Sequence, residues 1–199
     1  MTSLLFDLYG VVIKHRTPAD RARVVERLGV TDTDSFWATY EKTRAPYDAG
    51  LISDSDWWAN LSPDIDVATA AAVEADTLSH AHPGMVDLLA DLHEAGFRIG
   101  VLSNLPHILA DKLLAVHPWF AQLDSLTFSC EIHVNKPDPR AYTHALADLD
   151  ATAEDTLFFD DTPANVAAAR GVGLQAALVQ RADPVSSVRS ALKLFDAIP

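Results

Sequence analysis

Short apolar runs alternating with helical stretches constrain this chain more than any other feature of its sequence. Residues 3–13 read as a buried strand that passes through Asp7 and turns at Gly10. Further strands are expected at 98–103, 126–129, 156–159 and 174–179. Between them lie helical stretches that open at Pro83-Gly84, Pro106, Pro139 and Pro163, each with a proline at or near its start. Strands joined through helices need crossover connections, and crossovers build a parallel sheet. The first strand stands apart, because the segment 15–80 shows helices and no convincing strand. One of these helices has Thr17 as N-cap, Pro18 at its first position and Gly29 as its stop. Others are expected at about 34–45, from Ser53 onward, and at 66–79. The chain is therefore predicted to be α/β, with a core formed by residues 1–14 and 81–199 and a helical insertion, 15–80, after the first strand. At 199 residues there is room for one domain with such an insertion, not for two full domains.

Charge limits the partners. Fifteen Lys and Arg against 28 Asp and Glu give a formal charge of −13. That balance argues against a nucleic-acid groove, which needs clustered cations. An acidic surface repels anions, so an anion site has to show itself as a local cluster of cations or backbone amides. The single cysteine, Cys130, excludes intrachain disulfides and cysteine-rich zinc modules. A small buried core thiol is the expected role, and a reducing, cytoplasmic setting fits. No run approaches the ~20 apolar residues of a membrane helix. The N-terminal run lacks early positive charge and is interrupted by Asp7, so it is not read as a signal peptide. A monomer or homodimer is expected.

The chemistry gathers where the strands end. In open parallel sheets ligands bind beyond the carboxyl ends of the strands. Asp7, Ser103-Asn104, Lys136 and Asp160-Asp161 all fall at or just past such ends. Each has a local explanation as a turn residue, a helix cap or a solvated lysine, but their recurrence around one sheet edge is a pattern. A carboxylate at a strand end can act as a nucleophile. Two further carboxylates opposite it need a cation between them, and Mg²⁺ suits hard oxygen ligands. Ser103, Asn104 and the Lys136 ammonium would hold phosphoryl oxygens and supply the local reversal of field.

FDLYGVV (6–12), VLSN (101–104), NKPDPRAY (135–142) and FFDDTPANVAAAR (158–170) together resemble the four ordered motifs of the haloacid dehalogenase-like hydrolase superfamily. The match covers nearly the whole chain, and within the superfamily the chain is most similar to small sugar-phosphate phosphatases of the α-glucose-1-phosphate type. The resemblance implies a Rossmann-like three-layer core, with 15–80 as a small cap. It implies an Mg²⁺-dependent phosphatase acting on a small phosphorylated metabolite. Asp7 would be the nucleophile that becomes an aspartyl-phosphate. Ser103 and Asn104 would bind the phosphoryl group, with Tyr9 as a further substrate contact. Lys136 would be the catalytic cation. Asp7, Asp161 and the carbonyl of Tyr9 would hold the metal, and Asp160 would support Lys136.

Tyr9 departs from the pattern. Phosphatases of this superfamily usually carry an acid–base Asp two residues after the nucleophile, and a phenol is a poor base near neutrality. An Asp-x-Tyr-Gly motif resembles instead the metal-independent 2-haloacid dehalogenases. The Asp160-Asp161 pair speaks against that alternative, because adjacent carboxylates make sense beside a cation. A weakly catalytic binding or regulatory module with the same fold is the third alternative. In the insertion, Trp37, Trp57 and Trp58 are expected mainly as core, and Arg44 and Tyr47 lie between helices as possible substrate contacts. Among the histidines, His107 is the one close enough to Asn104 to be a substrate contact.

Overall fold

The computed structural model describes residues 3–195. Five strands, β1 (Ser3–Phe6), β2 (Arg98–Ser103), β3 (Ser125–Phe128), β4 (Thr156–Asp160) and β5 (Gln175–Leu178), form one parallel sheet in the order β3-β2-β1-β4-β5. The expected α/β parallel-sheet class is what the chain adopts. The first strand in sequence is the central one, and the chain winds outward from it in both directions. The strand order therefore reverses at β1, which opens a crevice at its carboxyl end.

Side-chain alternation gives the sheet two buried faces. Leu4 and Phe6 of β1, Ile99 and Val101 of β2, and Leu157 and Phe159 of β4 point to one side. There they meet α5 (Met85–Glu94), α6 (His107–Val116) and α10 (Pro184–Leu194). Leu5, Leu102 and Phe158 point the other way, onto α8 (Pro139–Asp148) and α9 (Pro163–Val172). The result is three layers, helix–sheet–helix. Phe6 and Phe159 stack across β1 and β4 with ring centroids 4.7 Å apart, which fixes the register just below the two acidic strand ends.

The expected strand over 3–13 ends at Phe6. Beyond it the chain folds into a tight turn in which Val12 N donates to Leu8 O and Gly10 N to Ile13 O. Gly10 has φ 85°, and a β-carbon there would overlap Asp161 Oδ2. Only glycine allows the loop after Asp7 to pass this close to the end of β4.

Between β1 and α5 lie α1 (Pro18–Arg27), α2 (Thr33–Asp48), α3 (Asp54–Leu61) and α4 (Val67–Leu78). Thr17 and Asp20 form a reciprocal capping box at the start of α1. Asp32, Ser53 and Asp66 cap the other three helices. These helices share their own apolar cluster, built on Val24, Phe36, Trp37, Tyr40, Tyr47, Trp57, Trp58 and Val73. Trp57 and Trp58 are fully buried in it, as core residues should be. α2 continues through Pro46 to Asp48, past the stop expected at Ala45. A short α7 (Ser129–Ile132), a 3-10 turn at Pro118–Gln122 and α10 were not expected from the sequence. Among the described residues no helix is long and apolar enough to cross a membrane.

Candidate active site

The strand ends converge as the motif spacing predicts. Asp7 follows β1 directly, and its backbone N–H still donates to Phe159 O at 2.8 Å, so it is held as an extension of the ladder. Its Oδ1 accepts from Leu8 N at 2.7 Å and lies 2.6 Å from Lys136 Nζ. Oδ2 has no hydrogen-bond partner among the described residues. Lys136 Nζ also lies 2.8 Å from Asp160 Oδ2. Asp160 is fully occupied: Oδ1 accepts from Thr162 N at 2.7 Å, and Asn165 Nδ2 reaches both oxygens, at 3.2 and 3.0 Å. Asp161 Oδ2 lies 3.0 Å from His15 Nε2 and is also bonded by Arg181 Nε.

Burial dominates the electrostatics. It pushes the Asp7 carboxyl up to about 7, against the pull of the Lys136 ammonium. For Lys136 burial acts downward, but Asp7 and Asp160 outweigh it and hold the amine above its ordinary value. Lys136 is therefore the fixed cation of the site. Burial raises the Tyr9 phenol well above the usual range, more strongly than Arg44 lowers it.

Two residues that line the cleft carry an unpartnered polar group. Ser103 Oγ and Tyr9 Oη are buried without a hydrogen-bond partner among the described residues, and both residues line the cleft above Asp7. A buried hydroxyl left unsatisfied is costly, and such groups are places where a ligand completes the bonding. Asn104 holds Lys136 in place: its Nδ2 donates to Lys136 O and its Oδ1 accepts from Lys136 N, both at 2.9 Å.

The donor set suits a hard divalent cation. Asp7, Asp160 and Asp161 each offer a carboxylate oxygen, and the three oxygens lie within 4.8 Å of one another. Lys136 already joins Asp7 to Asp160, so Asp7 and Asp161 are the pair open to a further cation, and their all-oxygen donors match Mg²⁺.

The cleft, of about 400 Å³, runs from these groups to the helical block, where Arg16, Arg21, Trp37, Tyr40, Arg44 and Asp48 line it. Trp37 and Arg44 thus face the cleft. Tyr47 instead stacks on Trp57 at 4.0 Å inside the helical cluster. His107 does not line the cleft either; its ring stands against Gly50. Cys130 is buried, and burial pushes its thiol up to about 12, which makes it a core residue and not a nucleophile. Asn165, His15, Arg16 and Arg181 belong to the site although the sequence did not single them out. Asn165 alone carried a signal, as the residue one helical turn past Asp161 in the fourth motif.

A parallel α/β core with an acidic trio and a lysine at its topological switch point defines a hydrolase of the haloacid dehalogenase-like type. Residues 1–173 match the haloacid dehalogenase-like hydrolase family, and the chain belongs to it. The sesquiterpene phosphatase astK of Aspergillus oryzae is 27% identical over 174 residues, covering 85% of each chain. A plasmid-encoded phosphoglycolate phosphatase of Cupriavidus necator is 35% identical over 129 residues, covering 61% of this chain and 56% of the relative. A HAD family enzyme of Bacteroides thetaiotaomicron has the same fold, with a TM-score of 0.83 at 19% identity over 95% of this chain and 98% of that one. The same enzyme has also been solved as a magnesium complex.

Proposed function

We propose that this hydrolase is an Mg²⁺-dependent phosphatase that releases phosphate from a small phosphorylated metabolite through an aspartyl-phosphate at Asp7. A sugar phosphate is the favoured substrate. The observation that carries this reading is the trio Asp7, Asp160 and Asp161 around one point, with Lys136 bridging two of them. With Asp160 committed to Lys136, Asp161 is the carboxylate for which a dehalogenase working without metal has no use. The phosphatase names of the sequence relatives and the magnesium complex of a fold relative point the same way.

The mechanism follows from which atoms are engaged. Leu8 N and Lys136 Nζ fix Oδ1 of Asp7, which leaves Oδ2 to attack phosphorus. Ser103 Oγ, with no protein partner, donates to a phosphoryl oxygen. The Lys136 ammonium neutralises charge gathering between nucleophile and phosphoryl group. Asp7, Asp161 and the Tyr9 carbonyl would hold Mg²⁺, which when bound neutralises phosphoryl charge. Asp160, fully engaged by Thr162, Asn165 and Lys136, supports the lysine. The helical block acts as the cap over the cleft. Tyr9 Oη gives the leaving-group oxygen a hydrogen bond in place of the acid–base Asp of related phosphatases, and that oxygen takes its proton from solvent as its bond to phosphorus breaks. A water then attacks phosphorus, the Oδ2–P bond breaks, and phosphate leaves with the Asp7 carboxylate restored.

Phosphate release from a panel of sugar phosphates and from p-nitrophenyl phosphate tests this, with Mg²⁺ and with chelator. Turnover lost with chelator and with Asp7→Asn is the expected result. Activity indifferent to both, or halide release from 2-chloropropionate in place of phosphate release, would overturn it.

A further inference from the structure

The cleft has two chemically different walls, and the one supplied by the helical block is neutral. Arg16 donates to Thr77 Oγ1 at 2.9 Å, to Tyr40 Oη at 2.7 Å and to Glu74 Oε1 at 2.6 Å. Arg44 Nε donates to Asp48 Oδ1 at 2.6 Å, while its Nη1 lies 3.3 Å from both Glu74 oxygens and bonds the Tyr40 hydroxyl. Glu74 is buried behind the wall, and Arg16, Arg44 and Asp48 are largely buried at its surface. Two guanidinium groups thus face two carboxylates, with no charge left over. The third guanidinium on the cleft, Arg21, is paired with Glu41 at 2.8 Å and lies over the Trp37 ring at 4.0 Å.

Three kinds of leaving group meet this wall differently. A second anionic group needs a free guanidinium fork to receive it. Here both buried guanidiniums are already paired with carboxylates, Arg44 Nη2 alone has no partner among the described residues, and Asp48 would repel the newcomer. An apolar chain would strip water from Arg16, Arg44 and Asp48 without replacing those bonds, which is costly. A neutral group rich in hydroxyls can donate to a carboxylate and accept from a guanidinium at once. Asp48 is built for this, because it lines the cleft with Oδ1 held by Arg44 and Oδ2 without a partner among the described residues.

We propose that the substrate's leaving group is a neutral polyol, and that Asp48 is the specificity residue that accepts its hydroxyl hydrogens. This rests on the phosphatase reading above and adds the chemistry of the group released. It sets the chain apart from the two relatives named above, whose names specify a sesquiterpene and a glycolate.

The test compares kcat/KM in Mg²⁺ for a hexose 1-phosphate, 2-phosphoglycolate, farnesyl phosphate and p-nitrophenyl phosphate, on the wild-type protein and on Asp48→Asn. The hexose phosphate should exceed both 2-phosphoglycolate and farnesyl phosphate by about tenfold or more. Asp48→Asn leaves one positive charge on the wall, so the ratio of hexose phosphate to 2-phosphoglycolate should fall by about tenfold or more. A merely structural role for Asp48 would lower every substrate by the same factor and leave that ratio unmoved, which would overturn the assignment. Wild-type preference for 2-phosphoglycolate or farnesyl phosphate would overturn it as well, and needs no variant should Asp48→Asn be unstable. If p-nitrophenyl phosphate is turned over but the preference is wrong, this inference alone fails. If no phosphate monoester is turned over, the phosphatase reading fails and this inference with it.

Discussion

Asn104 and Lys136 clasp each other through two hydrogen bonds of 2.9 Å, the amide side chain of one closing on the backbone N–H and C=O of the other. The pair joins the loop after β2 to the loop after α7, and so sets where the Lys136 ammonium stands between Asp7 and Asp160. Asn104→Ala leaves both backbone groups of Lys136 without these partners, and should cost about 1–3 kcal/mol in urea unfolding. Phosphatase activity should fall further than the stability loss explains, since the lysine loses its anchor. A variant with wild-type stability and wild-type turnover would show that the clasp positions nothing.

Lys136 should matter more for stability than either carboxylate it bridges. Removing Asp7 leaves the ammonium with Asp160, whereas removing the ammonium leaves two buried carboxylates facing each other. Lys136→Met is expected to destabilise by about 3–5 kcal/mol, the usual penalty for an uncompensated buried charge. Asp7→Asn should cost far less. Mg²⁺ should restore part of the loss in Lys136→Met, because a cation that binds only the folded form stabilises it. Chemical unfolding of both variants with and without Mg²⁺ decides this, and equal losses would refute it.

How much of this was open to a sequence reader depended on distance along the chain. Helix ends and strand ends were legible because their signals are local: Thr17 with Pro18, Asp66, and prolines at or near helix starts. The strand ends mark where ligands bind in a parallel sheet, so Asp7, Ser103, Asn104, Lys136, Asp160 and Asp161 could be grouped before any geometry was known. Val11, Val12 and Ile13 misled, because a buried turn needs the same apolar side chains as a buried strand and hydrophobicity does not tell them apart. α10 carried an unread local signal, with Asp183 capping it, Pro184 at its first position, and Val188 and Leu192 on one face. His15, Arg16 and Arg181 were illegible for a different reason. Each acts across a long separation, Arg16 on Glu74 and the other two on Asp161, and no spacing rule reaches that far.

Gly10→Ala should injure the site directly. The residue has φ 85°, and a new β-carbon would overlap the carboxylate of Asp161. Strain of about 1–2 kcal/mol is expected from the backbone alone, and Asp161 has to move as well. Mg²⁺ affinity measured by calorimetry should weaken along with turnover. Unchanged affinity would mean that Asp161 does not hold the metal.

Acid should loosen the helical block through Glu74. Burial acts to raise this carboxyl, but Arg44 and Arg16 outweigh it and hold it at about 2, below the ordinary value of 4.5. A depressed carboxylate stabilises the fold above its unfolded pKa, and that stabilisation is lost as pH falls from about 4.5 through about 2. The full contribution is on the order of 3 kcal/mol. Glu74→Gln should therefore be markedly less stable than wild type at pH 7, with the gap closing as the medium is acidified through that window. A gap that stays constant from pH 7 to pH 3 would contradict the charge pairing.

Tyr9 separates catalysis from stability most cleanly. Its hydroxyl is buried and bonds nothing among the described residues, so Tyr9→Phe removes a polar group that contributes no protein hydrogen bond. Thermal stability should stay the same or rise slightly, because an unsatisfied buried hydroxyl is itself a cost. Catalysis should respond according to the leaving group. Turnover of an alkyl phosphate, whose departing oxygen needs a donor, should drop by about tenfold or more, and turnover of p-nitrophenyl phosphate by much less. Tyr9→Asp goes further, since it places a carboxylate where related phosphatases have their acid–base residue, and it should raise turnover of the poorer leaving groups. Equal losses on both substrates in Tyr9→Phe would mean that the phenol orients the phosphoryl group and does not assist the oxygen that leaves.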